Sequence, residues 1–335
     1  MDTIKLDNVM DNCCSHIPTR DAGTSPDSGP QANLREPFVC RICGANRHSS
    51  LIEGLADETN QMYSLLKCHH CLLVTTSPLP KKMEALYAKE YWSAASRETL
   101  VDKFYELRMQ GITYGLRRFV KRNARILDWG AGNGNLARLI RKYGYDCWGI
   151  EPYHRSTEDD RIISAPLAEA PFKKDSFDAI TCIHVLEHLE DPVGNLRAAS
   201  RLLKPGGFLL IEVPNISSIG FRLFKSRWQP LEIPSHLNHF DSASLKNMLS
   251  RCHGFRILKR SFFSAHASPA AWVLSCVPSL SPRNVRKRYR GRHPWILKAL
   301  YLCLQMLAYP FAVMESCLNR GSIMRVWIQK EGVDR

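Results

Sequence analysis

Apolar positions along this chain follow two periods. Four short, almost wholly apolar runs, Arg125 to Trp129, Tyr145 to Ile150, Phe177 to Ile183 and Gly207 to Val213, read as strands buried on both faces. Between them the apolar positions recur at helical spacing. Leu136, Leu139, Ile140 and Tyr143 make one such face, which Gly144 can end. Leu196, Ala199, Leu202 and Leu203 make another, opened by Asp191 before Pro192 and stopped by Lys204-Pro-Gly-Gly207. This alternation predicts a doubly wound, mostly parallel sheet. Arg161 to Ser164 adds a short third strand, Phe255 to Phe262 a sixth and Ser322 to Gln329 the closing one. A helix from Ser242 to Cys252 is capped by Asp241 or Ser242. Residues 98–123 carry Leu100, Phe104, Leu107, Ile112, Leu116 and Phe119 at helical spacing.

The first apolar run leads into Gly130, Gly132 and Gly134, and the first helix follows at once. Strand, glycine turn and helix form the ligand-binding corner of such a sheet, where ligands sit beyond the strand's carboxyl end. Glycine is expected there because a Cβ would hold a ligand off the backbone. The spacing is G-x-G-x-G, not the G-x-G-x-x-G that seats a pyrophosphate, and Asp128 stands just before it. That carboxylate would repel a phosphate and attract a cation. Glu151, about twenty residues past the glycines, is placed to hold a ribose diol. A ribose plus a cationic centre, without phosphate, describes S-adenosylmethionine.

Four blocks in order, ILDWGAGNGNLA (126–137), WGIEP (148–152), FDAITCIHVLEHLEDP (177–192) and LLKPGGFLLIEVPN (202–215), resemble class I S-adenosylmethionine-dependent methyltransferases. The resemblance implies an α/β fold, a Rossmann-like seven-strand sheet in the order 3-2-1-4-5-7-6, built from residues 124–262 and 322–335. It implies cofactor contacts at Asp128, Gly130, Ala131, Gly132, Asn133, Glu151, Pro152, Leu167, Ala168, Ile183 and His184, with Leu167 and Ala168 against the adenine. It also implies that residues 81–123 form a helical linker covering the open side of the cofactor site.

Cys40-Arg-Ile-Cys43 and Cys68-His-His-Cys71, separated by 24 residues, offer four thiolates for a tetrahedral structural zinc in a ribbon spanning 37–80. His69 or His70 is an alternative ligand. The 12 cysteines are expected to be reduced, because residues 1–36 read as a polar, disordered leader without a secretory core. Cys13 and Cys14 within it are adjacent and chelate poorly. The text after the second knuckle resembles that of ribbon-bearing bacterial methyltransferases of sugar and polysaccharide pathways.

His184, Glu187 and His188 follow the fourth strand, and His236 and His239 come later. Three readings stand open. His184, His188 or His239 is a general base toward an acceptor hydroxyl. Or Glu187, His188 and a later histidine hold a divalent metal. Or the group ties the loop together. The metal reading resembles the carboxylate–histidine sites of small-RNA 2′-O-methyltransferases and ubiquinone-pathway O-methyltransferases, except that His184 stands where those carry a first glutamate.

The net charge of +14 points to nucleic acid, an anionic membrane or an acidic substrate. Nucleic acid is the weaker of these partners, since no Asn/Asp-Pro-Pro motif occurs. An insertion, 263–321, holds an apolar run from Ala270 to Leu280, a basic run from Arg283 to Arg292 and a second apolar run from Trp295. Pro310 breaks that last run, so it is expected to lie on an anionic membrane without crossing it. The expected enzyme is cytoplasmic, or peripheral on the inner face of the cytoplasmic membrane. It O-methylates a small-molecule, glycan or lipid-linked acceptor. Sugar C-methylation, RNA 2′-O-methylation and a non-enzymatic zinc-ribbon scaffold are the alternatives.

Overall fold

A computed structural model describes residues 38–80, 100–153, 159–252, 254–265, 267–281, 284–285, 288–289 and 295–332, without the side chains of residues 100–108. The leader with Cys13 and Cys14, residues 81–99, and Arg283, Arg286, Lys287, Arg290 and Arg292 lie outside them.

The elements run β1 (His48–Ala56), β2 (Met62–Cys68), β3 (Val74–Ser77), α1 (Leu100–Phe119), β4 (Arg125–Trp129), α2 (Asn135–Lys142), β5 (Asp146–Ile150), β6 (Ile162–Ile163) and β7 (Phe177–Ile183). Then come α3 (Pro192–Leu202), β8 (Leu203–Pro214), α4 (Ile219–Phe224), β9 (Asn238–His239), α5 (Ser242–Leu249), β10 (Phe255–Ser261), α6 (Ala267–Cys276), α7 (Trp295–Cys317) and β11 (Ile323–Lys330).

Seven strands form one sheet in the order β10-β11-β8-β7-β4-β5-β6. Strands β6, β5, β4, β7 and β8 are parallel, and β11 is antiparallel to both β8 and β10. Numbered along the sheet's own strands, this is the anticipated order 3-2-1-4-5-7-6. The order reverses between β4 and β7, so their carboxyl ends open a crevice there. Leu127, Ile180, Leu209 and Ile211 are wholly buried, as parallel strands covered on both faces require. On one face, Ile112 and Leu116 of α1 pack with Leu139 and Ile140 of α2 and with Trp327. Gly115 of α1 is needed there, because a Cβ would run into the Trp327 ring. The Asp191 side chain caps α3 through the Gly194 amide, and Asp241 with Ser244 forms a reciprocal capping box on α5. Strand β8 begins at Leu203, so Lys204-Pro-Gly-Gly207 opens the strand as well as ending the helix.

The cysteine-bearing hairpin packs together with the large sheet. Its sheet has the order β1-β2-β3-β9, and β9 belongs to the chain after the fifth strand of the large sheet. Cys40, Cys68, Cys71 and Leu73 are buried in the same core as Leu127, Ile180 and Leu209. A hairpin this short has too little apolar surface of its own, and it takes cover from the larger sheet.

The insertion folds as two helices, α6 and α7. Helix α7 runs unbroken through Pro310 for 23 residues, where the sequence suggested an interruption. It is the one helix among the described residues long and apolar enough to cross a membrane, yet only 11% of its most apolar window is buried.

Candidate active site

The glycine turn closes onto β5, because the Gly130 and Ala131 amides both donate to the Ile150 carbonyl, at 2.9 and 3.1 Å. Gly130, Gly132 and Gly134 have φ of +79°, +55° and +80°, a region that side chains with a Cβ avoid. A Cβ on Gly130 would strike Val185, and one on Gly134 would strike Ile162. At those two positions, therefore, protein rather than ligand fills the space beside the glycine, which corrects the expected reason for them. Glu151 is buried, and its two carboxylate oxygens accept from the Gly132 and Tyr153 amides, each at 3.2 Å.

Asp128 lies beneath the turn rather than facing solvent. It accepts from the Thr181 hydroxyl at 2.8 Å on the neighbouring strand. Burial pushes its carboxyl up to about 7; the Thr181 hydrogen bond works against that rise, and the Glu151 charge adds to it. Asn133, Pro152, Ala168, Ile183 and His184 reach the surface around this corner, while Ala131, Gly132 and Leu167 are buried in it. Two carboxylates and a left-handed turn suit a ribose and a cationic centre, and they would oppose a phosphate. The residues fit S-adenosylmethionine.

Beyond β7 the chain does not continue as a helix. His184 takes a left-handed φ of +55°, and only Leu186–His188 forms a single tight turn. His184 and His188 therefore do not share a helix face as anticipated. His184 Nδ1 lies 3.1 Å from Glu187 Oε1, and its Nε2 lies 3.5 Å from Glu212 Oε1. Glu212 is clasped in turn by Arg325 and by the Ser264 hydroxyl, at 2.6 and 3.0 Å. Burial disfavours charge on His184, but the two flanking carboxylates outweigh it and lift the imidazole to about 10. In that form the imidazole is a proton donor to both carboxylates.

His188 and His236 stack edge to face with ring centres 4.6 Å apart. Their Nδ1 atoms sit 2.9 Å from the Ser235 carbonyl and 2.8 Å from the Pro230 carbonyl, so each Nδ1 carries the hydrogen. Burial, with His236 adding to it, lowers His188 to about 4, which leaves it neutral. One ligand atom each from Glu187, His188 and His236 lies within 4.8 Å of the others, and Glu187 Oε2 is buried without a hydrogen-bond partner. His236, not His239, is the later histidine of this group. His239 is buried against the cysteine-bearing hairpin, with Nε2 3.0 Å from the Thr76 hydroxyl.

The four cysteine sulfurs also lie within 4.8 Å of one another, with Cys40 and Cys71 at 3.3 Å and Cys43 and Cys68 at 3.5 Å. Each knuckle turns back on itself: the Gly44 amide donates to the Cys40 carbonyl at 2.8 Å, and Leu72 to Cys68 at 3.1 Å. This cradle fits a closed tetrahedral zinc. His69 and His70 are exposed and outside it.

Glu212, Arg325, Thr181 and Ser264 are missing from the sequence-based site. The signal for Glu212 was present, an acid inside the apolar run LLIEVP, where a buried charge needs a partner.

Residues 61–260 match the family described as "Methyltransferase domain". Among curated proteins the chain is similar to the ubiquinone biosynthesis O-methyltransferases of Xanthomonas oryzae pv. oryzae (strain PXO99A), 29% identical over 151 residues, and Xanthomonas campestris pv. campestris (strain B100), 28%. Each alignment covers 42% of this chain, which spans 62% of the length of those relatives. A solved S-adenosylmethionine-dependent methyltransferase from Archaeoglobus fulgidus is similar at 17% identity and a TM-score of 0.45, covering 73% of this chain and 99% of its own. With the family matched over 200 of 335 residues (61–260), the chain belongs to the methyltransferase-domain family.

Proposed function

We propose that this enzyme O-methylates a hydroxyl on a small-molecule, glycan or lipid-linked acceptor in the cytoplasm. The observation that carries the reading is the buried polar cluster of His184, Glu187, His188, Glu212 and His236 beside the glycine corner, at the carboxyl ends of β7 and β8. Histidines and carboxylates converging in this way suit an acceptor whose oxygen must lose a proton. The names of the similar curated proteins, O-methyltransferases, point the same way.

The cofactor, when bound, supplies an activated methyl group on a sulfonium. Asp128, Gly130, Ala131, Gly132, Asn133, Glu151, Pro152, Leu167, Ala168, Ile183 and His184 would hold it, with Glu151 on the ribose. His184, cationic between Glu187 and Glu212, ties these two carboxylates together beside the acceptor space. His188, neutral, is the group able to take the proton. Positioning the acceptor supplies most of the acceleration. Cys40, Cys43, Cys68 and Cys71 hold a structural zinc.

A second reading has one specific observation in its favour. Glu187 Oε2 is buried without a hydrogen-bond partner, and one ligand atom each from Glu187, His188 and His236 lies within 4.8 Å of the others, so a divalent cation can bind these three. It would polarise the acceptor oxygen, and His188 would then be a ligand rather than a base.

The experiment is methyl transfer from labelled S-adenosylmethionine to lipid, glycan and RNA fractions of the source cells. Label in an alkali-stable ether of the lipid or glycan fraction is expected. Label in RNA, or on carbon, overturns the reading.

A further inference from the structure

We infer that the α6–α7 hairpin docks the enzyme onto an anionic lipid bilayer, lying in the plane of the interface rather than crossing it. The inference is independent of the acceptor's identity. Helix α7 is apolar on two adjacent faces. The inner face, with Leu297, Tyr301, Leu304 and Ala308, packs on Val273 and Leu274 of α6. The outer face presents Ile296, Leu300, Met306, Leu307, Phe311 and Met314, each between 45% and 69% exposed. These outer positions follow helical spacing over about 30 Å and include no charged residue. An apolar stripe of that length is more than a soluble surface ordinarily leaves in water.

Length alone would let α7 span a bilayer core of about 30 Å. Its attachments do not. Gln305, Ala312 and Glu315 are buried, so protein covers one side from the middle of the helix to its end. Glu315 accepts from the Ser322 amide at 2.7 Å and from the Gly220 amide at 3.4 Å, which fastens the end of α7 to β11 and α4. Crossing would draw these charged, hydrogen-bonded parts of the catalytic domain into hydrocarbon. Only the outer stripe is available for insertion.

Charge selects the partner. From Ser242 to Met314, 73 residues, the chain contains no Asp or Glu and twelve Lys or Arg. Next to the hairpin, where Phe224 and Trp272 meet edge to face at 5.6 Å, Arg222, Lys225 and Arg227 are exposed beside Leu223, itself 63% exposed. Cations bordering an apolar stripe complement anionic headgroups above acyl chains. A second copy of this chain would bring two acid-free regions face to face and repel. A nucleic acid would leave the stripe in water.

The test is flotation of the full-length, zinc-loaded protein with vesicles of phosphatidylglycerol in phosphatidylcholine and with phosphatidylcholine alone. The wild type should float at least tenfold better with the anionic vesicles and should be released by carbonate. Leu300→Glu/Leu307→Glu should reduce flotation at least tenfold. So should Arg222→Gln/Lys225→Gln/Arg227→Gln, which leaves the hairpin itself intact. Both variants should keep wild-type cofactor binding, the control for folding. Wild-type protein that does not float, or floats equally on neutral vesicles, overturns the proposal, as do variants that bind like wild type. A dimer that Leu300→Glu/Leu307→Glu dissolves, without vesicle binding, assigns the face to a second copy. RNA binding lost in the Gln variant alone, without vesicle binding, assigns the cations to nucleic acid. Retention after carbonate refutes the in-plane geometry.

Discussion

The Thr76 hydroxyl lies 3.0 Å from His239 Nε2 and donates to the His236 carbonyl at 2.6 Å, so one ribbon residue grips both ends of the loop that carries His236. Arg41, between the first two cysteines, adds bonds to the Leu237 and Thr76 carbonyls at 2.9 and 3.1 Å. The Leu237 amide in turn donates to the Glu187 carbonyl at 2.7 Å. The cysteine cradle is therefore mechanically continuous with the polar cluster.

Loss of the zinc should then cost activity as well as local structure. One tightly held zinc per chain is expected in protein made under reducing conditions, and Cys40→Ser or Cys68→Ser should lose it and unfold the hairpin. Methyl transfer should fall with the metal, while cofactor affinity, set at the β4–β5 corner, should hold. Elemental analysis alongside calorimetry checks both halves. A zinc-free wild type, or full turnover in a zinc-free variant, contradicts this.

Glu151→Ala should weaken S-adenosylmethionine binding by about 1–3 kcal/mol, since it removes a charged acceptor and also releases the Gly132 and Tyr153 amides it holds. Gly132→Val should abolish binding, because a β-branched residue is strained at a φ of +55°. Titration calorimetry with wild-type affinity in both variants would remove the cofactor assignment from this corner.

Asp128 should make the cofactor-free protein less stable as pH rises. Its carboxyl is raised from 3.8 to about 7, so the folded state favours the proton that the unfolded chain releases near pH 4. The stabilising contribution is complete below about pH 4 and disappears as pH climbs through about 7, a cost on the order of a few kcal/mol at most. Asp128→Asn cannot ionise. Its melting temperature should exceed the wild type's at pH 8, with the gap closing toward pH 5. A gap that stays constant with pH would show that burial of Asp128 carries no charge penalty.

The large sheet was legible because its signals are local. Glycine spacing, apolar runs and caps such as Asp191 and Asp241 each lie within a few residues, whereas the strand order was only what the family resemblance implied. What was not legible is what distant segments do to one another. No local pattern joins Val74 to His239, the pairing that welds the ribbon to the core. The left-handed His184 breaks the helix that its spacing suggested, because the residue must turn to meet Glu187 and Glu212 together. Pro310 looks like a helix breaker in sequence, but α7 passes through it with support from α6.

The remaining question at the site is whether His188 takes a proton or holds a metal, and chelation separates the two. On the base reading, EDTA should leave methyl transfer unchanged provided the cysteine-bound zinc is retained. His188→Gln should then lower kcat by about 10²–10⁴ with little effect on cofactor affinity. On the metal reading, EDTA should abolish activity and Mn²⁺ or Mg²⁺ should restore it. Glu187→Ala, which removes the buried carboxylate oxygen lacking a hydrogen-bond partner, should raise the cation concentration needed, as His236→Ala should also. Manganese binding followed by electron paramagnetic resonance gives a readout independent of turnover. His184→Gln distinguishes further, since removing a fixed positive charge beside Glu187 should tighten the cation and still slow the proton-transfer route. If manganese binds neither the wild type nor His184→Gln, the cation reading fails, and the kcat of His188→Gln then separates a base from a residue that only ties the loop together.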